Sequence, residues 1–372
     1  MFVPDLATLR RRATAKWTAY PEDVLPLFIA ESDFGTCPEV LAHIRQCVEQ
    51  ESFGYARLHS DLPEALAGFY QRRYGWGPDP AHVFAVADVV QGLIRAVRYL
   101  TREGSAVVVP APAYPPFLSI PELAGRQLWL AHADAAGHVD MPEIERLFAQ
   151  GAGSMLVCNP YNPLGFAFSR EELEELTQLA HRYGVRLIAD EIHAPLSFDA
   201  PHIPLGAIDP RAVMVTAASK AWNVAGLKCA QLVCTNEEDA AVLRGLPGFA
   251  LSEPSILGQS ASAACYRADT AFLEQQHEQL RRNRDFVQRE LPAAIPGARV
   301  NHVEATYLAW VDFTDTAYAT KPAEQLLTRA KIALSEGEDF GPGGAGHARL
   351  NFATSIELLG QAMERMSATF LG

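Results

Sequence analysis

Three short segments hold residue types that could form one chemical site. In Thr216-Ala-Ala-Ser-Lys-Ala-Trp-Asn-Val-Ala-Gly-Leu-Lys228, Lys220 follows an apolar run. An amine that attacks a carbonyl must be partly desolvated so that it is neutral, and a lysine just past a buried strand can meet that condition. The small neighbours Ala218, Ser219 and Ala221 would let a ligand approach closely. Taken alone, the same lysine reads as a surface residue. Asp190 closes a second apolar run, Leu187-Ile-Ala-Asp-Glu-Ile-His193. A buried carboxylate can keep a heteroaromatic ring nitrogen protonated, although a helix cap is the plainer reading. The neighbouring Glu191 and His193 invite a metal, but no second ligand cluster lies near them, so no metal is expected. The third segment, Cys158-Asn-Pro-Tyr-Asn-Pro-Leu-Gly165, reads by itself as a turn. If it meets the other two, an Asn amide could donate to a ligand oxygen.

The elements around these segments supply that meeting. Apolar, β-rich runs occupy 106–110, 127–131, 155–159, 186–190, 213–217 and 230–235, and several are apolar throughout, as strands covered on both faces are. Between two of them, Ser169 and Glu172 form a capping box, and Leu173, Leu176, Leu179 and Ala180 follow at helical spacing. Strand–helix alternation implies an α/β sheet with helices on both faces, and such sheets bind ligands at the carboxyl ends of their strands. All three segments follow strands there. The last third reads as an α+β lobe: a long helix over 261–290, a strand at 307–313, a helix at 322–331, a strand at 347–353 and a closing helix from Ile356. Residues 17–28 fit no part of the alternation, so the N-terminal stretch is expected to pack with that lobe. The expected division is 46–252 for a large ligand-binding domain and 1–45 with 253–372 for a small one.

The ordered set CNPxNPxG, DEIH and SKAWNxAGLK resembles the aspartate-aminotransferase-like enzymes of pyridoxal phosphate (PLP) fold type I. Within them it is similar to the PatB/MalY group of cystathionine β-lyases (C–S lyases). Further matching segments run along almost the whole chain: Leu27-Phe-Ile-Ala-Glu-Ser-Asp-Phe34, Phe53-Gly-Tyr55, Tyr114-Pro-Pro-Phe117, Gly337-Glu-Asp-Phe-Gly-Pro-Gly-Gly344 and Arg349-Leu-Asn-Phe-Ala-Thr354. The resemblance implies a large, mostly parallel mixed sheet covered by helices, with a smaller α+β lobe. It also implies roles. Lys220 would carry PLP as a Schiff base and move the Cα proton. Asp190 would pair with the pyridine nitrogen, Asn162 with the phenolic oxygen, and Tyr114 would stack on the ring. Lys228, Ser219 and the backbone at Gln91, Gly92 and Leu93 would hold the phosphate, with His193 also near the cofactor. Tyr55 of the partner subunit, with Arg57, would reach the phosphate, making a homodimer with shared sites. Arg349 would grip the substrate carboxylate as a bidentate fork.

The chain departs from that group in places. Glu31-Ser32-Asp33 stands where Asp-Met-Asp is usual, Val90-Gln91-Gly92-Leu93 where Pro-Gly-Val-Val opens the phosphate helix, Tyr161 where His is common, and Ala217 where Ser is frequent. Glu31, Ser32, Gln91 and Tyr161 are therefore expected near the substrate, where they bear on substrate and outcome, and the resemblance also implies Asn162 there. Gly341-Pro-Gly-Gly-Ala-Gly346 matches a dinucleotide fingerprint in spacing only: a β-rich run follows it instead of a helix.

The formal net charge is −13, with the acidic residues scattered, which argues against nucleic acid and anionic membranes as partners. No apolar run is long enough to span a bilayer, and six cysteines without a C-x-x-C pair read as buried thiols in a reducing cytoplasm. The expectation is a PLP-dependent C–S β-lyase that turns cystathionine or another cysteine S-conjugate into thiol, pyruvate and ammonia. An aminotransferase, or a PLP enzyme of secondary metabolism that couples decarboxylation to oxidative deamination, would use the same residues. A regulator using the dimer surface is the non-enzymatic alternative.

Overall fold

The computed structural model describes residues 3–55, 60–133, 138–251, 254–268 and 270–369. Arg57 lies outside them. The strands, in chain order, are β1 (Leu25–Pro26), β2 (Val83–Val86), β3 (Ala106–Ala111), β4 (Gln127–His132), β5 (Ser154–Cys158), β6 (Arg186–Asp190), β7 (Val213–Thr216), β8 (Ala230–Cys234), β9 (Arg299–Val300), β10 (Leu308–Asp312), β11 (Ile332–Ala333), β12 (Ser335–Glu336) and β13 (His347–Asn351).

A seven-stranded sheet runs in the order β2-β8-β7-β6-β5-β3-β4, and β8 alone runs against the others. The fold is therefore α/β, with the mixed and mostly parallel sheet that the resemblance implied. β3, β5 and β7 are buried along their whole length, which explains why they read as continuous apolar runs: helices cover both faces. The covering helices begin as their sequences specify. Ser169 and Glu172 form the expected capping box on Arg170–Tyr183, which ends at Gly184 with φ 67°.

A second, four-stranded antiparallel sheet has the order β12-β13-β10-β9. Beside it, β1 pairs in parallel with β11, so a segment near the amino terminus is bound to one near the carboxyl terminus. The Leu25 and Leu27 N–H groups donate to Lys331 O and Ala333 O, both at 2.9 Å.

One expected element divides. In place of a single helix over 261–290 there are two, Ile256–Arg267 and Ala271–Ala294. Ser255 caps the first through Gly258 N–H, and the backbone leaves the helical region at Ala268, where ψ is 154°. Neither Gly nor Pro marks the break, so residue type alone gave no sign of it. The GPGGAG stretch leads into β13, with Gly341, Gly343 and Gly346 all at positive φ; no helix opens there.

Candidate active site

The sheet topology sets the site. β3, β5, β6 and β7 are mutually parallel, so the residues after their carboxyl ends, Tyr114, Asn162, Asp190 and Lys220, come to one edge. β8 runs the other way, and its amino end therefore returns to that edge with Lys228 just before it. Around this edge lies a cleft of about 290 Å³ whose wall includes all five.

Lys220 is half-buried, and its Nζ donates to Ala30 O at 2.7 Å. Loss of water pulls its amine down to about 8, and the charge of Arg349 pulls the same way against the attraction of Asp190 and Glu31. Asp190 is 4% exposed, and its Oδ1 accepts from Ile192 N–H at 3.0 Å. Burial pushes its carboxyl up to about 7. The charge of Glu191 adds to that rise, while the Ile192 N–H and Lys220 oppose it. Glu191 is fully buried, accepting from Tyr70 OH at 3.2 Å, His202 Nε2 at 3.2 Å and Leu205 N–H at 2.8 Å. Those three bonds anchor the chain immediately after Asp190.

Asn162 is buried, and its Oδ1 accepts from Arg349 at 2.9 Å. Arg349 also donates to Phe28 O at 3.1 Å and Ser335 Oγ at 3.2 Å. Among the described residues no carboxylate pairs with this arginine, and its Nε has no hydrogen-bond partner. Burial draws it down to about 10, so it stays a cation at neutral pH. The Tyr114 ring lies half-buried in the cleft wall, its phenol pushed up by burial. His193 shares the wall; burial holds it well below its ordinary value, and its Nδ1 finds no partner among the described residues.

The helix Val89–Leu100 starts two residues earlier than the sequence reading placed its anion-binding groups. Asp88 is its N-cap, accepting from Gln91 N–H at 2.9 Å. The free first-turn N–H groups of this helix therefore include those of Val89 and Val90. Gly92 and Leu93 lie inside the helix; Gly92 N–H is spent on Asp88 O, and a Cβ there would come within 2.6 Å of Val215. The missed signal was Asp88-x-x-Gln91, a capping pattern. Asp88 also pairs with Lys228 at 2.9 Å, whose side chain is 65% exposed. Gln91 and Ser219 line the cleft as expected.

Besides Arg349, Gly92 and Leu93, three further expected positions stand outside the cleft wall. Tyr161 points into the core, donating to Pro110 O at 2.9 Å and stacking on Phe166 at 4.9 Å. The Glu31 side chain accepts from Thr14 Oγ1, and only its charge is felt at Lys220. Tyr55 is fully exposed to solvent in this protomer. Two participants were not foreseen: the Ala30 carbonyl, and Tyr307, whose hydroxyl donates to it at 3.0 Å. A backbone oxygen carries no residue signature, and Tyr307 sits in an apolar strand pattern.

These groups fit PLP. A neutralisable amine, a buried carboxylate lacking a cationic contact, and an end rich in N–H donors with Lys228 match an aldehyde, a ring nitrogen and a phosphate. The buried Nδ1 of His193 and Nε of Arg349 have no partner among the described residues, hydrogen-bonding capacity that a bound ligand would use.

Comparison with known proteins agrees with this chemistry. The family model for class I and II aminotransferases matches residues 22–366. A cystathionine β-lyase of Corynebacterium glutamicum is 45% identical, over 99% of this chain and 100% of its own. PatB, the cystathionine β-lyase of Bacillus subtilis, is 29% identical over 93% and 92%. A crystal structure from Corynebacterium diphtheriae, described as a candidate PLP-dependent β-cystathionase, superposes with a TM-score of 0.96 at 44% identity, covering 100% of this chain and 99% of that one.

Proposed function

Because the chain belongs to the class I and II aminotransferase family, we propose that it is a PLP-dependent C–S β-lyase acting on cystathionine or a related cysteine S-conjugate. The observation that carries the site reading is one sheet edge holding a lowered lysine and a raised aspartic acid, with a buried arginine from the second sheet, lacking a carboxylate partner among the described residues, bonded to Asn162 of that edge. The relatives named for β-lysis select among the reactions such an edge supports.

PLP, when bound, supplies an electron sink for the bonds of an amino acid's Cα. Every other task falls to the protein. Lys220 would hold the cofactor through its amine, and its Nζ would move the substrate's Cα proton. An amine near 8 is well placed for that transfer, since much of its population can change protonation state near neutral pH. Asp190 holds the proton on the ring nitrogen; a cation beside it reverses the burial effect and favours its ionised form. Asn162 donates its amide hydrogens to the phenolic oxygen, while its Oδ1 orients Arg349. Arg349 fixes the substrate carboxylate in one plane and so sets which bond stands over the ring. The N–H groups of Val89 and Val90, with Ser219 and Lys228, hold the phosphate. The balanced reaction consumes water and the S-conjugate and yields thiol, pyruvate and ammonia.

The functional unit in this reading is a homodimer. Val48, Phe53 and Tyr55 are each exposed in one short stretch of chain, and a second copy would cover them and bring Tyr55 of the partner subunit to the phosphate. Six free, buried thiols suit a reducing compartment, which supports a cytoplasmic location. Among the described residues no helix is long and apolar enough to cross a membrane.

Purified enzyme incubated with L-cystathionine tests the proposal. We expect pyruvate and free thiol in equal amounts with no keto acid supplied. Product that forms only when a keto acid is added, with the substrate's carbon skeleton recovered as its own keto acid, would make the protein an aminotransferase.

A further inference from the structure

We propose that Phe340, backed by Trp310, is a positioning residue for carboxylate recognition: its ring face holds the buried Arg349 guanidinium in place before the ligand's carboxylate arrives. This rests on the reading of Arg349 as the carboxylate fork.

A buried cation ordinarily has an anionic partner, because the desolvation penalty is otherwise uncompensated. Arg349 is 5% exposed, yet its hydrogen-bond partners are a side-chain amide oxygen, a backbone carbonyl and a hydroxyl, all neutral. Tyr114 and Tyr307 favour its charge from a distance, and the direct contact on its face comes from Phe340. The guanidinium carbon lies 4.9 Å from the centre of that ring, which is 1% exposed. A cation over an aromatic face is held by the ring quadrupole, and the attraction grows when water is excluded.

The platform cannot easily turn away. Trp310 meets Phe340 edge-on at 5.2 Å and 68°, and it stands directly opposite Arg349 in the β10–β13 pair. His347 stacks on Trp310 at 5.3 Å and 12°. Phe340 also ends a short turn, Gly337–Phe340, whose tightness depends on glycine: a Cβ at Gly337 would lie 2.2 Å from Gly344 O. The Phe340 carbonyl accepts from Ala113 N–H at 2.8 Å, next to Tyr114. One turn therefore positions the arginine and abuts the chain that carries the cleft's aromatic wall.

The alternative is that Phe340 only fills space. The two separate when ring charge is changed at nearly constant shape. In the holoenzyme, Phe340 is replaced by phenylalanine bearing one, two or three ring fluorines, and Phe340→Leu is made beside them. Dissociation constants of L-alanine and L-alaninamide are read from the cofactor's absorbance, and unfolding midpoints are measured. Wild type should prefer the acid. That preference should weaken stepwise with fluorination, by about tenfold overall, with midpoints unchanged. Phe340→Leu should lose as much; if it fails to fold, the fluorinated series decides. A preference that stays constant or strengthens across the series overturns the proposal. Arg349→Ala is the control: if it erases the preference while the series does not, only the role of Phe340 falls. If it keeps the preference, the reading of Arg349 falls with it.

Discussion

Asp190 gains protons on folding, and that leaves a measurable trace. Its carboxyl moves from 3.8 to about 7, so between those values the folded, cofactor-free protein binds more protons than the unfolded chain. The stability linked to this group is fully present below about pH 4 and is lost as pH rises to about 7, a span worth roughly 4 kcal/mol at most. In cofactor-free Asp190→Asn, urea unfolding should lose that downward slope. With cofactor bound, the same variant should turn over roughly a hundredfold or more slowly, since it no longer holds charge against the ring nitrogen. An unchanged slope together with near-normal turnover would contradict the assignment. Asp190, Lys220 and Asn162 were readable because each follows an apolar strand within a dense motif. Tyr161 sits in the same motif and yet faces the core: proximity in sequence placed it near the site but could not tell which way its ring turns. The Ala30 carbonyl was unreadable in principle, because any residue would supply it.

At the scale of elements, the helix Val89–Leu100 is the part most sensitive to small change. It packs on β7 through Gly92, where a methyl group would sit 2.6 Å from Val215 Cγ1 and 3.2 Å from Val86 Cγ2. Gly92→Ala should therefore lift the amino end of the helix. We expect a loss of about 1–3 kcal/mol in denaturant unfolding and a several-fold weaker hold on PLP, measured by equilibrium dialysis. Weakened cofactor binding with full stability would show that the glycine serves the ligand instead of the packing. Strands were the most legible elements, since burial on both faces leaves long apolar runs. Helix starts were legible where a capping box stood, as at Ser169. The same kind of signal at Asp88 was displaced by two residues when the family's glycine pattern was fitted to Val90–Leu93. The break at Ala268 left no trace, because tertiary packing of the two helices decides it.

For the whole molecule, the proposed assembly is tested by mixing subunits. A Tyr55→Phe protomer and a Lys220→Ala protomer are each defective, but a hybrid pair contains one site with both wild-type residues. Activity should return on exchange, approaching one wild-type site, or about half of a wild-type dimer, per hybrid dimer. Mixtures that exchange subunits and stay inactive would remove the shared-site reading. Composition could not foretell this face; only an exposed tyrosine inside a family motif pointed to it. The pairing of β1 with β11 has a further consequence, in time. The segment that gives Lys220 and Arg349 their carbonyl partners leaves the ribosome early, yet those partners lie 190 and 321 residues away. The large sheet can form while the chain is still growing, but the amino-terminal wall has nothing to pair with until the final strands emerge. Leu25 and Leu27, buried in the finished protein, must stay uncovered for nearly the whole of synthesis. Contacts of such long range form slowly, and the waiting segment is where an unfinished or truncated chain would stick to its neighbours.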